Sequence, residues 1–197
     1  MATRTYWSRV VLAIVMVAVA DVAPAAADVK VKVQRTKSFD LEKVRTWSWH
    51  PGSAGDVKIL QATPEKPEQI LAELDPTIRA AVEAEFARHG LTQAPDPASA
   101  DLHVNYYVLI GPAFSAQEMG QFVAAVPEWG LPPFQGATTS LEVYEQGTLI
   151  IDLASPAKAS VIWRGSAQAK IDRDFTHAQR DARLREAIGK MFKKYPK

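Results

Sequence analysis

Between Tyr144 and Gly165 the chain reads YEQGTLIIDLASPAKASVIWRG, and no other stretch restricts the fold as much. Leu149, Ile151 and Leu153 recur at every second residue, and Val161 and Trp163 resume the period beyond a break at Pro156. Side chains alternate faces along a strand, so a period of two predicts strands with one buried face. Two such runs this close predict an antiparallel hairpin. Facing residues of a hairpin share one side of the sheet, which for regular strands calls for an odd loop, either Pro156–Lys158 or Ser155–Ala159. In that register Asp152 lies opposite Ile162 and diagonal to Arg164. The expectation is an exposed ion pair worth under about 1 kcal/mol. Trp163 is expected in the core, and Gly165 marks a bulge or a close approach.

The rest of the chain supplies partners for this hairpin. Val29, Val31 and Val33 alternate with Lys30, Lys32 and Gln34, which predicts a strand. Thr46 to His50 predicts a second, with Trp47 and Trp49 on one face and Pro51-Gly52 as its end. Gln61 to Leu74 reads as a short Pro-interrupted helix. Asp75-Pro76 reads as an N-cap followed by proline at the first helical position. A helix is then expected over 76–89, with Ile78, Val82 and Phe86 on its apolar stripe and Gly90 as its C-cap. Asp101 to Ile110 is a further strand. Its apolar face holds Leu102, Val104, Tyr106, Val108 and Ile110, and its polar face His103, Asn105 and Tyr107. A last helix is expected from near Thr176, with Leu184, Ile188, Met191, Phe192 and Tyr195 on one stripe.

The order is β-β-α-β-β-β-α. Two helices with one apolar stripe each need one sheet face to cover. The expected class is α+β, a mostly antiparallel sheet with both helices on one face and the other face open or roofed. The candidate roof is the long segment 111–140, which carries Phe114, Phe122, Trp129 and Phe134. It is too long for an ordinary connection and too aromatic for a simple disordered linker.

The first residues predict a destination. Arg4 and Arg9 precede an apolar run from Val10 to Ala20, and Ala25 and Ala27 follow as an A-x-A site. That order is the one of a secretory signal peptide, 1–27, cut before Asp28. The expected mature chain, 28–197, is one domain, periplasmic or secreted. Removing residues 1–27 takes away Arg4, Arg9 and Asp21, leaving 21 of 23 basic and 21 of 22 acidic residues. A balanced chain argues against nucleic acid, which is bound by neutralising phosphates. No later run is apolar and long enough for a membrane span. The sequence has no Cys, which excludes disulfides, thiolate chemistry and a cysteine-borne lipid anchor.

Several of these runs together resemble a known family. "RTWSW", "ADLHVNYYV", "YEQGTLIIDL", "VIWRG" and a basic C-terminal helix ending "KKYP" are similar to domain-of-unknown-function family 4136 of bacterial envelope proteins. The resemblance covers roughly Val29 to Pro196. It implies an exported α+β domain and supplies no catalytic residues. Many relatives carry a lipidation cysteine that this chain lacks.

Candidate chemistry is sparse. His50, His89, His103 and His177 show no metal-ligand spacing on one element, and neither a metal nor a cofactor is expected. There is no G-x-S-x-G elbow, phosphate loop or dinucleotide fingerprint. The basic residues of the last helix, Arg180, Arg183, Arg185, Lys190, Lys193 and Lys194, read as a solvated face. The reading carried forward is a non-catalytic, soluble periplasmic protein that binds a small ligand or an envelope component. Its candidate residues are His103, Asn105, Tyr107, Arg164 and Gln168 on the polar sheet face, and Trp129 and Phe134 in the aromatic segment. A structural or stress-related module docking on another envelope protein would use that segment and the basic helix instead. The third reading is a hydrolase, which requires titratable groups converging in a pocket.

Overall fold

A computed structural model describes residues 29–52, 54–59, 66–111, 147–158, 160–169, 171 and 174–196. Residues 1–28 and the segment bearing Trp129 and Phe134 lie outside them. Among the described residues seven strands form one sheet: β1 (Lys30–Arg35), β2 (Thr46–Trp49), β3 (Gly55–Ile59), β4 (Thr92–Gln93), β5 (Leu102–Ile110), β6 (Thr148–Ser155) and β7 (Ser160–Gln168). The strand order is β1-β7-β6-β5-β2-β4, with β3 beside the second half of β5. The pairings of β1, β7, β6 and β5 are antiparallel, whereas β2 and β3 run parallel to β5. The class is α+β, as the periodicity predicts.

The parallel part follows from the first helix. α1 (Pro67–Arg88) lies between β3 and β5 in sequence. Its 22 residues return the chain by about 33 Å, so β5 enters the sheet running the same way as β3. β3 itself lies beyond the expected stop at Pro51-Gly52 and, with β4, is missing from the predicted order. Asp101 accepts from the backbone N–H groups of Arg45 and Thr46, both at 2.9 Å, and so joins β2 to the start of β5.

α1 also corrects the expected helix start. The helix begins nine residues before Pro76 and runs through it. Pro67 takes the first helical position, and Lys66 N–H donates to Gln69 Oε1 at 3.4 Å. Pro76 lacks one N–H and so removes one rung of the helix ladder, which the rest survives. Asp75 caps nothing. It accepts from Arg79 Nε at 2.8 Å and from the Tyr106 hydroxyl at 2.5 Å. The far end is as expected: Gly90 has φ +75°, and Leu91 N–H reaches back to Phe86 O at 3.0 Å.

α2 (His177–Phe192) starts after Thr176, whose hydroxyl accepts from Gln179 N–H at 3.3 Å. Ile188, Met191 and Phe192 share a core with Ile78, Val82 and Phe86 of α1 and with Tyr106, Leu153 and Trp163 of the sheet. Both helices therefore cover one face. Thr77 Oγ1 donates to Asp181 Oδ1 at 2.8 Å and ties the helices together.

The hairpin differs from its expected register. Ser155 pairs Ser160, which leaves four residues, 156–159, between the strands rather than an odd number. A register shift between Leu153 and Ala154 restores the facing, because Ile162 is an extra residue there. Asp152 then stands directly opposite Arg164, and Leu153 opposite Trp163. Ile162 and Trp163 join the helix-side core, while Val161 is buried outside it.

Candidate functional site

The second face of the central strands is buried. Thr148, Ile150, Asp152, Arg164, Ser166 and Gln168 all lie below a tenth exposed, so that face is not open. Cross-strand partners place Gln34, Arg164, Asp152 and Asn105 in one row across β1, β7, β6 and β5. Tyr107 pairs Ile150 one step along that face, and Gln168 pairs Thr148 at its end.

Asp152 and Arg164 dominate this face. Arg164 donates from Nε to Asp152 Oδ1 and from Nη2 to Oδ2, both at 2.6 Å. The carboxylate is 1% exposed and the arginine 7%. The expectation of an exposed pair is thus overturned, and the bulge at Ile162 is the reason. It turns a diagonal into a direct pair, and the sheet's second face is covered. Burial pushes the Asp152 carboxyl up from its ordinary value, against the pull of Arg164. For Arg164 burial acts against the charge, but the hydrogen bonds and charge of Asp152 outweigh it and raise the pKa. Burial, then the Asp152 charge, also raises the Tyr107 hydroxyl.

The five candidate residues of the polar face do share that face, but they do not converge. Asn105 Nδ2 donates to the Tyr107 hydroxyl at 3.4 Å, and both lie beside Asp152. His103 stands apart. Its Nε2 meets Pro97 O at 2.9 Å, which makes Nε2 the donor, and its ring is T-shaped to that of His50 with centroids 5.6 Å apart. Gln168 is four pairs along the ladder from Arg164 and 4% exposed. Trp129 and Phe134 lie outside the described residues. Among the described residues no three metal-ligating side chains converge. No helix among them is long and apolar enough to cross a membrane.

The open space lies on the other face. A cavity of about 210 Å³ sits between the first turns of both helices and the end of the sheet. Val29, Ile70, Leu74, Val108, Ile110, Leu149, Ala167, Ala169 and Leu184 give it an apolar wall. Glu73, Arg180 and Arg183 supply its charge. Arg180 donates from Nη1 to Glu73 Oε1 at 2.5 Å and from Nε to Phe175 O at 3.2 Å. His177 Nδ1 lies 3.1 Å from the same Glu73 oxygen. The Arg183 guanidinium lies 5.3 Å from the Phe175 ring centre, within cation–π reach.

Sequence reasoning named Arg180 and Arg183 only as parts of a basic helix face. The missed signal is that Ile70 and Leu74, in the segment read as a separate short helix, continue at helical spacing into Ile78 and Val82 of one helix that passes through Pro76. Elsewhere on the basic helix two residues pair with acids of the same helix, Lys190–Glu186 at 2.8 Å and Arg185–Asp181 at 3.7 Å. A second hollow, by Gly55, Leu71, Asp75 and Arg79, borders the Tyr106–Asp75–Arg79 cluster, whose polar groups already hold one another.

No curated protein sequence matches the chain. Among solved structures, a DUF4136 family protein from Bacteroides thetaiotaomicron is similar at 18% identity and a TM-score of 0.46, over 85% of this chain and 96% of that one. A PDZ domain protein from Parabacteroides distasonis is similar at 15% identity and a TM-score of 0.44, over 87% of this chain and 38% of that one. The PelC dodecamer from Paraburkholderia phytofirmans is similar at 11% identity and a TM-score of 0.34, over 83% and 95%. The profile of the family described as Domain of unknown function (DUF4136) matches residues 29–197, the whole of the chain past its first 28 residues, and the protein belongs to that family.

Proposed function

We propose that this chain is an exported, non-catalytic domain of a bacterial envelope, and that it binds a small apolar ligand in the cavity between α1, α2 and the sheet. The observation that carries the reading is the cavity itself. Its wall is apolar and its charged groups are few, as in small-molecule sites generally. The order of charged, apolar and small residues in the leader supports export. Non-catalytic action is supported by a separation. The shifted pair Asp152 and Arg164 lies on the polar face and is bonded to itself, whereas the cavity lies on the helix face. An active site needs such groups and a cavity in one place.

Two measurements test the reading. Intact mass of protein from a periplasmic fraction should correspond to a chain starting at Asp28; a chain still starting at Met1 removes export. An uncharged solvatochromic dye should bind the purified mature protein and brighten. Ala169→Phe, which fills the cavity from a half-buried wall position, should abolish the brightening while the unfolding transition stays cooperative. Equal dye binding by the filled variant removes the cavity as the site.

A further inference from the structure

We infer that the cavity takes a free single-chain alkanoate, its aliphatic tail inside and its carboxylate at Arg180 and Arg183. This rests on the reading of the cavity as the ligand site and names the ligand class. Size sets the tail. An apolar cavity of about 150 Å³ holds one benzene ring, so 210 Å³ holds, in proportion, a chain on the order of eight carbons.

Charge sets the head. The ionisable groups among the lining residues are Glu73, Arg180 and Arg183, a formal balance of +1. His177, on the Glu73 carboxylate, adds only positive charge when protonated. A cationic head meets a mouth of its own sign. A neutral alcohol forgoes the charge-assisted hydrogen bonds that make carboxylate–guanidinium pairing strong.

The two arginines are three residues apart on α2, which puts them on neighbouring parts of one helix surface. Arg180 is held in place before any ligand arrives. Phe175 O takes its Nε and keeps that hydrogen bond when a ligand binds, so little side-chain freedom is lost. Arg183 rests on the Phe175 ring at the same mouth. A planar carboxylate matches a guanidinium fork held this way. Glu73 then has a second role. It is the resident carboxylate on Arg180, and an incoming alkanoate competes with it.

That competition makes the inference testable separately from the reading beneath it. Octanoate, octanol, octyltrimethylammonium and a lysophosphatidylglycerol are each used to displace the uncharged dye from the mature protein. Octanoate should displace it at a concentration lower than octanol by on the order of tenfold, the scale of one added charge-assisted contact. Arg180→Gln and Arg183→Gln should remove that advantage, octanoate and octanol then displacing the dye at about equal concentrations. Glu73→Gln should increase octanoate affinity several-fold, because it removes the competing carboxylate, and it keeps the test alive if an arginine variant fails to fold. Octanol equal to octanoate, preference for the cation, or a weaker Glu73→Gln overturns the inference while the cavity reading stands. Stronger displacement by the lysolipid overturns the commitment to a free alkanoate. A wild-type protein that binds no dye overturns the cavity reading and the inference with it.

Discussion

Asp152 and Arg164 face each other across β6 and β7 and share two hydrogen bonds of 2.6 Å inside the protein. Removing one member of a buried pair costs the other charge the two hydrogen bonds of the pair. Asp152→Ala and Arg164→Ala should each lower stability by about 3–5 kcal/mol. The double variant Asp152→Leu/Arg164→Met should recover a large part of that loss, because no charge is then left buried. Urea unfolding of the three proteins measures this. Single variants within about 1 kcal/mol of the parent would return the pair to the exposed surface ion pair that the alternation pattern suggests.

Trp163 and Gly165 are a second interlocked couple. A Cβ at Gly165 would lie 2.6 Å from Trp163 Cη2 and 2.8 Å from Met191 Sδ. Gly165 is thus the gap in β7 over which the indole lies and onto which α2 closes. Gly165→Ala should cost about 1–3 kcal/mol through overpacking. Trp163→Ala, at a fully buried position, should cost about 3–5 kcal/mol. Denaturant midpoints decide it. A neutral Gly165→Ala would mean that helix and sheet slide apart freely at this contact.

Tyr106 reaches across the core to α1. Its hydroxyl donates to Asp75 Oδ1 at 2.5 Å, and its ring fills the space where Gly55 has no Cβ. Tyr106→Phe should cost about 1.5–3 kcal/mol, the range for hydrogen bonds to charged groups. Combined with Asp75→Ala the loss should be less than additive, since both changes delete one contact. A full double-mutant cycle in urea checks the coupling; strict additivity would show that the contact contributes nothing.

Tyr195 carries a pH dependence on the alkaline side. Its hydroxyl is buried with no hydrogen-bond partner among the described residues, and burial pushes its pKa up to about 12 from an ordinary value of 10.0. The folded protein therefore holds this proton more tightly than the unfolded chain. The contribution is full below pH 10 and is lost as pH rises toward 12. Tyr195→Phe should leave stability at pH 7 within about 1 kcal/mol of the parent, because the deleted hydroxyl has no hydrogen bond to lose among the described residues. It should also flatten the alkaline fall. Thermal unfolding at pH 8 and pH 11 tests both, and an unchanged alkaline fall in the variant assigns it to other groups.

Periodicity was enough for the strands at Val31, Tyr106, Ile151 and Trp163, for α2 and its Thr176 start, and for the burial of Trp163. Each of these depends on which side of a strand or helix a residue occupies, and that is fixed within a few residues of chain. The candidate face was legible for the same reason: His103, Asn105 and Tyr107 alternate out of one strand. Four features needed the tertiary structure. α1 runs through Pro76 because Asp75 is held by Tyr106 and Arg79, residues that the N-cap reading had no way to weigh. β3 is a strand because β5 lies beside it, and its partner is some fifty residues further along the chain. Asp152 meets Arg164 because one extra residue, Ile162, shifts the ladder, and a bulge leaves no mark on alternation until pairing is known. The cavity exists because two helix ends and a sheet end stop short of one another, and its walls come from segments that only folding brings together. Local pattern carries the identity of elements and their faces; register, burial and empty space are properties of pairs of elements, and their energies are decided only when those elements meet.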